Sequence, residues 1–450
     1  MRIETNPDRY DVVVCGGGCA GVLAATSAAR QGARTLLVEK NGFSGGYITA
    51  VMGASLDGLV DLRSGLPIVG GLVEELAEKT CKGGFSRDQR YSPSIEMREI
   101  EDTPDWNKIG FNFEAYKLEA DRLMRRAGVE VLYHTFLASA ETRDGRVDAV
   151  VVANKAGLTR IHARHFVDAT GDADLACFAE AGIRIAPDPQ PMSLHFRVAG
   201  IKLTSKMRQK CGEVLKAAHA RGELAAFGGP WLEVLGPDAV NINAVRLPGL
   251  GVDPRTLARA EVQGREDIDT MFRLWVSEVP EWHDAVLITT GPCVGARETR
   301  RLDGVASLSL PDVLECRPQE DVIAKGAWWI DRHTAQSSGY HMHSVVRPYD
   351  IALRTLMPKG IDNLLVAGRC HSAESEALAS SRVTVTAMAL GEAAGTAAGI
   401  AAVKKVGIRD VPVRDIQNAL LDSGAVILDR AEKILAVGDA RADYVQSAVR

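Results

Sequence analysis

Short apolar runs alternate along the chain with segments whose apolar residues recur at helical spacing. The first run, Asp11-Val12-Val13-Val14, reads as a buried strand; Gly16, Gly17 and Gly18 follow it, and then an alanine-rich segment from Ala20 to Arg30 reads as a helix. Gly32 is placed to end that helix, and Thr35-Leu36-Leu37-Val38 makes a second buried strand. Strand, helix and strand in this order form a β-α-β unit, so a parallel sheet is predicted.

Residues 47–110 are glycine-rich and of mixed polarity, which suits an excursion above the sheet. Residues 113–126 have helical spacing and lead into an apolar strand at 129–133. Alternation from 137 to 167, broken at Asp144-Gly145 and Ala156-Gly157, predicts an antiparallel meander. Between 183 and 343, strands at 192–198 and 240–245 and a helix over 257–279 suggest a separate substrate-side unit. The chain returns through the apolar run at 363–367 to a small-residue helix at 383–403, and the tail carries an amphipathic helix at 416–421. The boundaries expected are 1–182 for the first part of a nucleotide-binding domain with a cap-like excursion at 47–110, 183–343 for an inserted substrate domain, 344–405 for the return, and 406–450 for a helical tail.

Composition narrows the classes. With 450 residues, 46% hydrophobic and 25% charged, the chain can bury a large core. A formal charge of -5 and 5% aromatic residues give no basic stripe for nucleic acid, so RNA modification is disfavoured and a small-molecule substrate is expected. Residues 383–403 resemble a membrane span in apolarity, but they are built from Ala, Gly and Thr and carry Glu392, so a buried, tightly packed helix is expected and no membrane span. The polar start of the chain predicts no signal peptide and a cytoplasmic location. Eight cysteines (15, 19, 81, 177, 211, 293, 316, 370) contain no C-x-x-C, so neither a disulfide framework nor a four-cysteine metal site is indicated.

The strongest chemical signal is Gly16-Gly17-Gly18-Cys19-Ala20-Gly21, a G-x-G-x-x-G between strand and helix, with Glu39 ending the next strand. Gly16 permits the tight turn, Gly18 lets a pyrophosphate approach the backbone, and Gly21 lets the helix pack on the strand while its N-terminus faces the negative charge. Glu39 can accept hydrogen bonds from an adenosine ribose. NAD and FAD share this fingerprint, so the motif alone leaves both open.

Further blocks carry a resemblance. Glu39-Lys40 with Ser44-Gly45-Gly46, then Ala169-Thr170-Gly171-Asp172, and Gly368-Arg369 with Gly391-Glu392-Ala393-Ala394-Gly395 resemble FAD-binding flavoproteins of the glutathione reductase superfamily. Ala296-Arg297-Glu298-Thr299-Arg300-Arg301, Asp331-Arg332-His333, residues 364–369 and Glu376-Ala377-Leu378-Ala379 resemble the FAD-dependent oxidoreductase family, which is similar to fumarate reductase and succinate dehydrogenase flavoproteins. The resemblance implies FAD and an α/β fold: a Rossmann-like FAD-binding domain with a parallel sheet and a β-meander, plus an inserted α+β substrate domain. It also implies FAD contacts from Gly16, Gly18, Cys19, Ala20, Gly21, Glu39, Lys40, Ser44, Gly45, Gly46, Thr170, Gly171, Asp172, Gly368 and Arg369. Val383 and Thr384 join that set, because the start of the closing helix would face the pyrimidine edge of the flavin.

For catalysis the candidates are Arg297, His333, His341 and His343. Arg297, Arg300 and Arg301 flank Glu298, and they read either as a clamp for a substrate carboxylate or flavin phosphates, or as an ion-pair network at the domain junction. A histidine beside a flavin can take a hydroxyl or amine proton. His341 and His343 share a strand face, but no third or fourth ligand is evident, so no metal is assigned. Cys370-His371 stands where a covalent flavin tether would be sought, with a packed turn as the plainer reading.

No second G-x-G-x-x-G unit and no vicinal cysteine pair appears, which argues against disulfide reductase chemistry. The function expected is an FAD-dependent oxidoreductase transferring a hydride between a small organic substrate and flavin N5, as a dehydrogenase with an unidentified electron acceptor. A fumarate-reductase-like reductase of an activated C=C bond and a flavoprotein electron-transfer subunit are the alternatives. The oligomeric state, a homo-oligomer included, stays open.

Overall fold

The computed structural model describes residues 3–428 apart from 54, 62–66, 83–97, 101–102, 106–107, 111, 237, 335–339, 344 and 346. At 55, 98–100, 103–105, 108–110, 205, 234, 236 and 340–343 it describes the main chain alone. The first β-α-β unit is strand β1 (Ile3–Cys15), helix α1 (Cys19–Arg30) and strand β2 (Thr35–Val38). β1 pairs in parallel with β2 on one side and with Gly157–Asp168 on the other, and β2 pairs in parallel with Glu130–Leu132. Every residue of β2 and Val12 to Cys15 of β1 are buried, as a sheet covered on both faces requires.

The strand Gly157–Asp168 changes partner along its length. Its first half closes the antiparallel meander with Arg146–Asn154, itself paired with Phe136–Arg143, whereas Phe166, Val167 and Asp168 pair in parallel with Leu364, Leu365 and Val366. The register puts Cys15 opposite both Val38 and Asp168, and Asp168 opposite Val366. The loops that follow, beginning at Gly16, Glu39, Ala169 and Ala367, therefore leave one edge of the sheet together. Ligands of open α/β sheets bind at that carboxyl edge.

β1 starts earlier than its apolar run, at Ile3, because exposed residues 3–5 still pair with Leu158–Arg160 across an irregularity before Arg9. Main-chain pairing without burial leaves no hydrophobic pattern to read. The strand expected at 192–198 is shorter, Phe196–Ala199, because Met192 and Ser193 bridge two different partners, Leu247 and Gly295, and so build no common ladder. Within residues 47–110 lies a helix, Gly71–Lys82, that buries Leu72, Val73, Leu76 and Ala77. A second sheet, ordered Phe227–Gly236, Ala239–Val245, Phe196–Ala199 and Val286–Thr290, packs with helices Ser205–Ala220 and Pro254–Glu278 around its own core of Phe196, Trp275 and Trp282.

The closing helix Thr384–Lys404 lies against α1. Gly391, Gly395 and Gly399 face the backbones of Ala20, Ala24 and Ala28, four residues apart on both helices, and Ser27 Oγ meets Thr396 Oγ1 at 2.6 Å. A side chain at any of these glycines would overlap main-chain atoms, so the small-residue composition is what this close crossing requires. The helix is long and apolar enough to cross a membrane, yet 89% of its most apolar window is buried inside the fold. Glu392 on it accepts from Leu72 N at 3.1 Å and Ser423 Oγ at 2.8 Å, and burial pushes its carboxyl up to about 7 from an ordinary 4.5.

Two outcomes are expected. Gly395→Val should lower the free energy of unfolding by roughly 1–3 kcal/mol in a denaturant titration, as overpacking does, and an unchanged midpoint would separate the two helices at this point. Because the folded protein holds Glu392 protonated above the pH at which the unfolded chain ionises it, stability should fall as pH rises from about 4.5 to about 7 and level off above. Unfolding curves of Glu392→Gln should lose that slope; an identical slope would assign it to other groups.

Candidate active site

The phosphate loop is built at the start of α1. Its N-cap, Gly18, is extended and supplies no side-chain hydrogen bond, and the first turn carries no acidic residue, so the positive end of the helix is uncompensated. Gly16 N donates to Val38 O and Gly45 N to Gly17 O, both at 2.8 Å, tying the loop to β2 and to the Ser44-Gly45-Gly46 turn. Glu39, buried, accepts from Gly17 N at 2.6 Å through Oε2 and from Asn41 N and Nδ2 at 2.8 Å through Oε1.

The three motif glycines differ in what surrounds them. A Cβ on Gly16 would stand 2.5 Å from Ala169 O, and one on Gly21 would overlap the Gly16 carbonyl. Gly46 has the same constraint, with Gly18 Cα 2.9 Å from where its Cβ would be. At Gly18 the nearest heavy atom is 3.9 Å away, so a side chain there would fill open space beside the uncapped helix end. That space suits a pyrophosphate approaching backbone N–H groups.

The remaining cofactor candidates gather around it. Cys19 Sγ donates to Gly45 O at 3.1 Å, buried Ser44 receives Thr49 Oγ1 at its carbonyl at 2.7 Å, and Gly368 places its Cα against Ala20. Thr170 N and Oγ1 donate to Asp168 at 3.0 and 2.7 Å, while Asp172 accepts from Arg369 Nη2 and Thr299 Oγ1, each at 2.7 Å. Gly171 lies beside the Arg369 guanidinium, and Lys40, exposed, is within electrostatic reach of Asp172. Val383 and Thr384 start the closing helix, which also has no side-chain cap, and buried Thr386 Oγ1 in its first turn has no partner among the described residues. An orphaned hydroxyl at a second uncapped helix start and the open cradle at Gly18 together fit FAD.

Beyond Val383 lies a charged cluster. Arg382 Nη2 donates to Asp331 O at 2.9 Å and reaches its carboxylate at 3.4 Å; Asp331 Oδ2 is 3.1 Å from His333 Nε2. Burial works against ionisation of Asp331, yet His333, Arg382 and Arg297 hold its carboxyl well below the usual range. Burial and then the Arg297 charge push His333 down to about 3, so the ring is neutral. Trp231 stands edge-on to His333 at 5.7 Å between centroids, with the Arg246 guanidinium 5.0 Å from its own ring. Arg297 Nη1 donates to Pro191 O at 2.8 Å, and burial followed by the Arg382 charge lowers it to about 10.

The arginine segment is thus divided. Arg301 is 3.5 Å from Glu298 and also donates to Ala373 O, whereas Arg300 pairs with Asp174 and Arg297 with neither carboxylate. Of the two readings left open for these arginines, the ion-pair one fits Arg301 with Glu298, while Arg300 pairs with Asp174 and Arg297 stands apart in the charged cluster. His341 and His343 fall on the strand Tyr340–His343, paired with Ile330–His333, and their side chains lie outside the described residues. Cys370 is packed in the core on the opposite sheet face, and His371 bonds Gly368 O at 2.9 Å and Ser381 Oγ at 3.2 Å, so both are engaged in the turn. Among the described residues no group of three His, Cys, Asp or Glu could hold a metal.

Arg246, Gln190, Trp231 and His195 belong to the cluster and were not singled out from sequence; Asp331 entered only as part of a resembling block. One signal was available: Asp331 and His333 are two apart on a strand and so share a face. His195 is buried, its Nδ1 donating to Met52 O at 3.2 Å and its ring 5.8 Å from Tyr47; nothing in its surrounding sequence marks it.

Strand ends in register, two uncapped helix starts and a charged cluster beyond them fit a flavoprotein. The chain belongs to the FAD dependent oxidoreductase family, whose model matches residues 11–420, and its cofactor is FAD. It is similar to digeranylgeranylglycerophospholipid reductases of Methanocella arvoryzae, 29% identical over 31% of this chain and 33% of that protein, and of Thermoplasma volcanium, 27% identical over 36% and 40%. The matches therefore span well under half of those relatives' own length. Among solved structures it is similar to a geranylgeranyl bacteriochlorophyll reductase-like protein of Thermoplasma acidophilum, with 14% identity, a TM-score of 0.48 and coverage of 94% of this chain and 84% of that one. It is also similar to the flavin-dependent brominase Bmp2, with 13% identity, a TM-score of 0.48 and coverage of 91% and 83%.

The contrast between glycines gives a paired test. Gly18→Val should fold with a melting temperature close to the parent and contain no FAD, whereas Gly21→Val should fail to fold. Normal FAD absorbance in folded Gly18→Val would refute the placement of the pyrophosphate.

Proposed function

We propose that this FAD-dependent oxidoreductase is a dehydrogenase acting on a small hydroxyl- or amine-bearing substrate held between Tyr47, Trp231, His333 and the start of the closing helix. The observation that carries the reading is a neutral, buried histidine oriented by a carboxylate, His333 on Asp331, beside the arginine that precedes that helix start. Asp331 on Nε2 orients a ring suited to take the proton released as the substrate carbon is oxidised. FAD, when bound, supplies the two-electron acceptor. Asp331 fixes the tautomer and stabilises the imidazolium once it forms, and Trp231 limits water on one side of the ring.

One observation favours the opposite direction: the curated relatives matched over part of their length are named as reductases of an isoprenoid phospholipid.

Anaerobic mixing of the FAD-loaded protein with hydroxy acids, polyols and amines should bleach the flavin absorbance with one of these classes. His333→Gln should retain FAD and slow bleaching by about 10²-fold or more, the usual scale for general base removal. Asp331→Asn should do likewise. Dithionite-reduced protein that is reoxidised by activated alkenes and never bleached by the panel would reverse the assigned direction, and full activity of His333→Gln would remove the histidine from the chemistry.

A further inference from the structure

Three arginines, Arg246, Arg297 and Arg382, gather in the cluster: Arg297 and Arg382 lower the proton affinity of Arg246, Arg382 lowers that of Arg297, and Asp331 acts on Arg246 and Arg297 and pairs with Arg382. Glu233 acts on His195 at the far side and Tyr47 is the other acidic group within range. Like charges gathered in a buried site repel, so the fold gains nothing from collecting them unless something offsets them.

The hydrogen bonding of Arg246, Arg382 and the neighbouring Gln190 is also incomplete. Arg246, 3% exposed, gives Nη1 to Ser193 Oγ, Asn243 Oδ1 and Val245 O, while its Nη2 finds no acceptor among the described residues. Gln190, 1% exposed, accepts from His333 N through Oε1 at 3.3 Å and leaves Nε2 without a partner, and Arg382 Nε is likewise unmatched. All three orphans are donors. Gly228 has no side chain where one would collide with the Arg246 guanidinium, which keeps that group turned toward Trp231 and His333. Buried donors left unpaired are destabilising, so an acceptor-only group entering among them would complete the arrangement.

We propose that Arg246, Arg297 and Arg382, with Gln190, form a subsite for a carboxylate of the substrate. The class of substrate is then an organic acid bearing its oxidisable hydroxyl or amine near the carboxylate, which deepens the dehydrogenase reading and rests on it for the second functional group. A planar two-oxygen acceptor matches side-by-side N–H donors from guanidinium and amide, and a carboxylate placed there would meet the arginines as well as the orphaned donors.

The test is equilibrium binding without turnover. Acetate, lactate and benzoate, each set against its own amide, are titrated into the FAD-loaded protein, oxidised and anaerobic, by calorimetry and flavin difference absorbance. At least one acid should bind saturably and its amide at least tenfold more weakly; Arg297→Gln and Arg246→Gln, each retaining FAD, should weaken the acid at least tenfold. Equal binding of acid and amide, saturable binding of none of the acids, or inorganic phosphate displacing the acid at lower concentration would overturn the subsite. The acid and amide comparison stands on the unaltered protein if either variant fails to fold. Acid binding without bleaching by any hydroxy acid would keep the subsite and reject the dehydrogenase; bleaching by neutral alcohols with no preference for acids would do the reverse.

Discussion

The crossing of α1 with the closing helix is the constraint on which the site depends. Ala20, Ala24 and Ala28 meet Gly391, Gly395 and Gly399 in the same order along both chains, so the two helices run parallel and their positive ends point to the same edge of the sheet. The closing helix begins six residues before the position level with Cys19, which sets its N-terminus about 9 Å beyond that of α1. Parallel helix dipoles side by side are mildly unfavourable. Here the packing of glycine on main chain holds them together, and two uncapped N-termini in line offer an extended anionic cofactor one contact at its pyrophosphate and another at its ring.

Segments remote in sequence converge there because strand ends are in register. Cys15, Val38, Asp168 and Val366 lie level, so the turns after them cannot avoid sharing an edge. Their contacts follow: Gly45 bonds Gly17, Gly368 packs on Ala20, and Asp172 pairs with Arg369. The Asp172–Arg369 pair locks the return of the chain to its first half, and Arg369 is in that sense a structural as well as a cofactor-facing residue.

The nucleotide half was legible because its requirements are local. A G-x-G-x-x-G between strand and helix, an acidic residue after the next strand and a helix of small residues each state their geometry within a few positions. The charged cluster has no such signature. Gln190, Arg246, Asp331 and Arg382 come from four separated segments, and what unites them is a tertiary arrangement in which each residue taken alone is an ordinary polar position. The division of Arg297 from Arg300 and Arg301 was equally hidden, since the partners Pro191, Asp174 and Ala373 lie far away in sequence. Sequence pattern also understated β1, whose first residues pair without burial, and overstated the 192–198 strand, where apolar residues serve two different bridges.

Several buried charges elsewhere are paired, Lys325 with Asp350 and Arg301 with Glu298 among them. The cluster around His333 instead gathers like charges, and arrangements of this kind mark sites where stability is given up for function. The same excess charge explains why His333 is neutral although it touches a carboxylate: burial and Arg297 outweigh Asp331. A bound carboxylate would offset Arg297 and Arg246, the two arginines that hold the ring down, and would raise its affinity for a proton at the moment a substrate hydroxyl or amine is in reach. On the proposed reading, substrate charge and the proton affinity of His333 would be coupled through the arginines, while burial, the larger effect, would still hold the ring down.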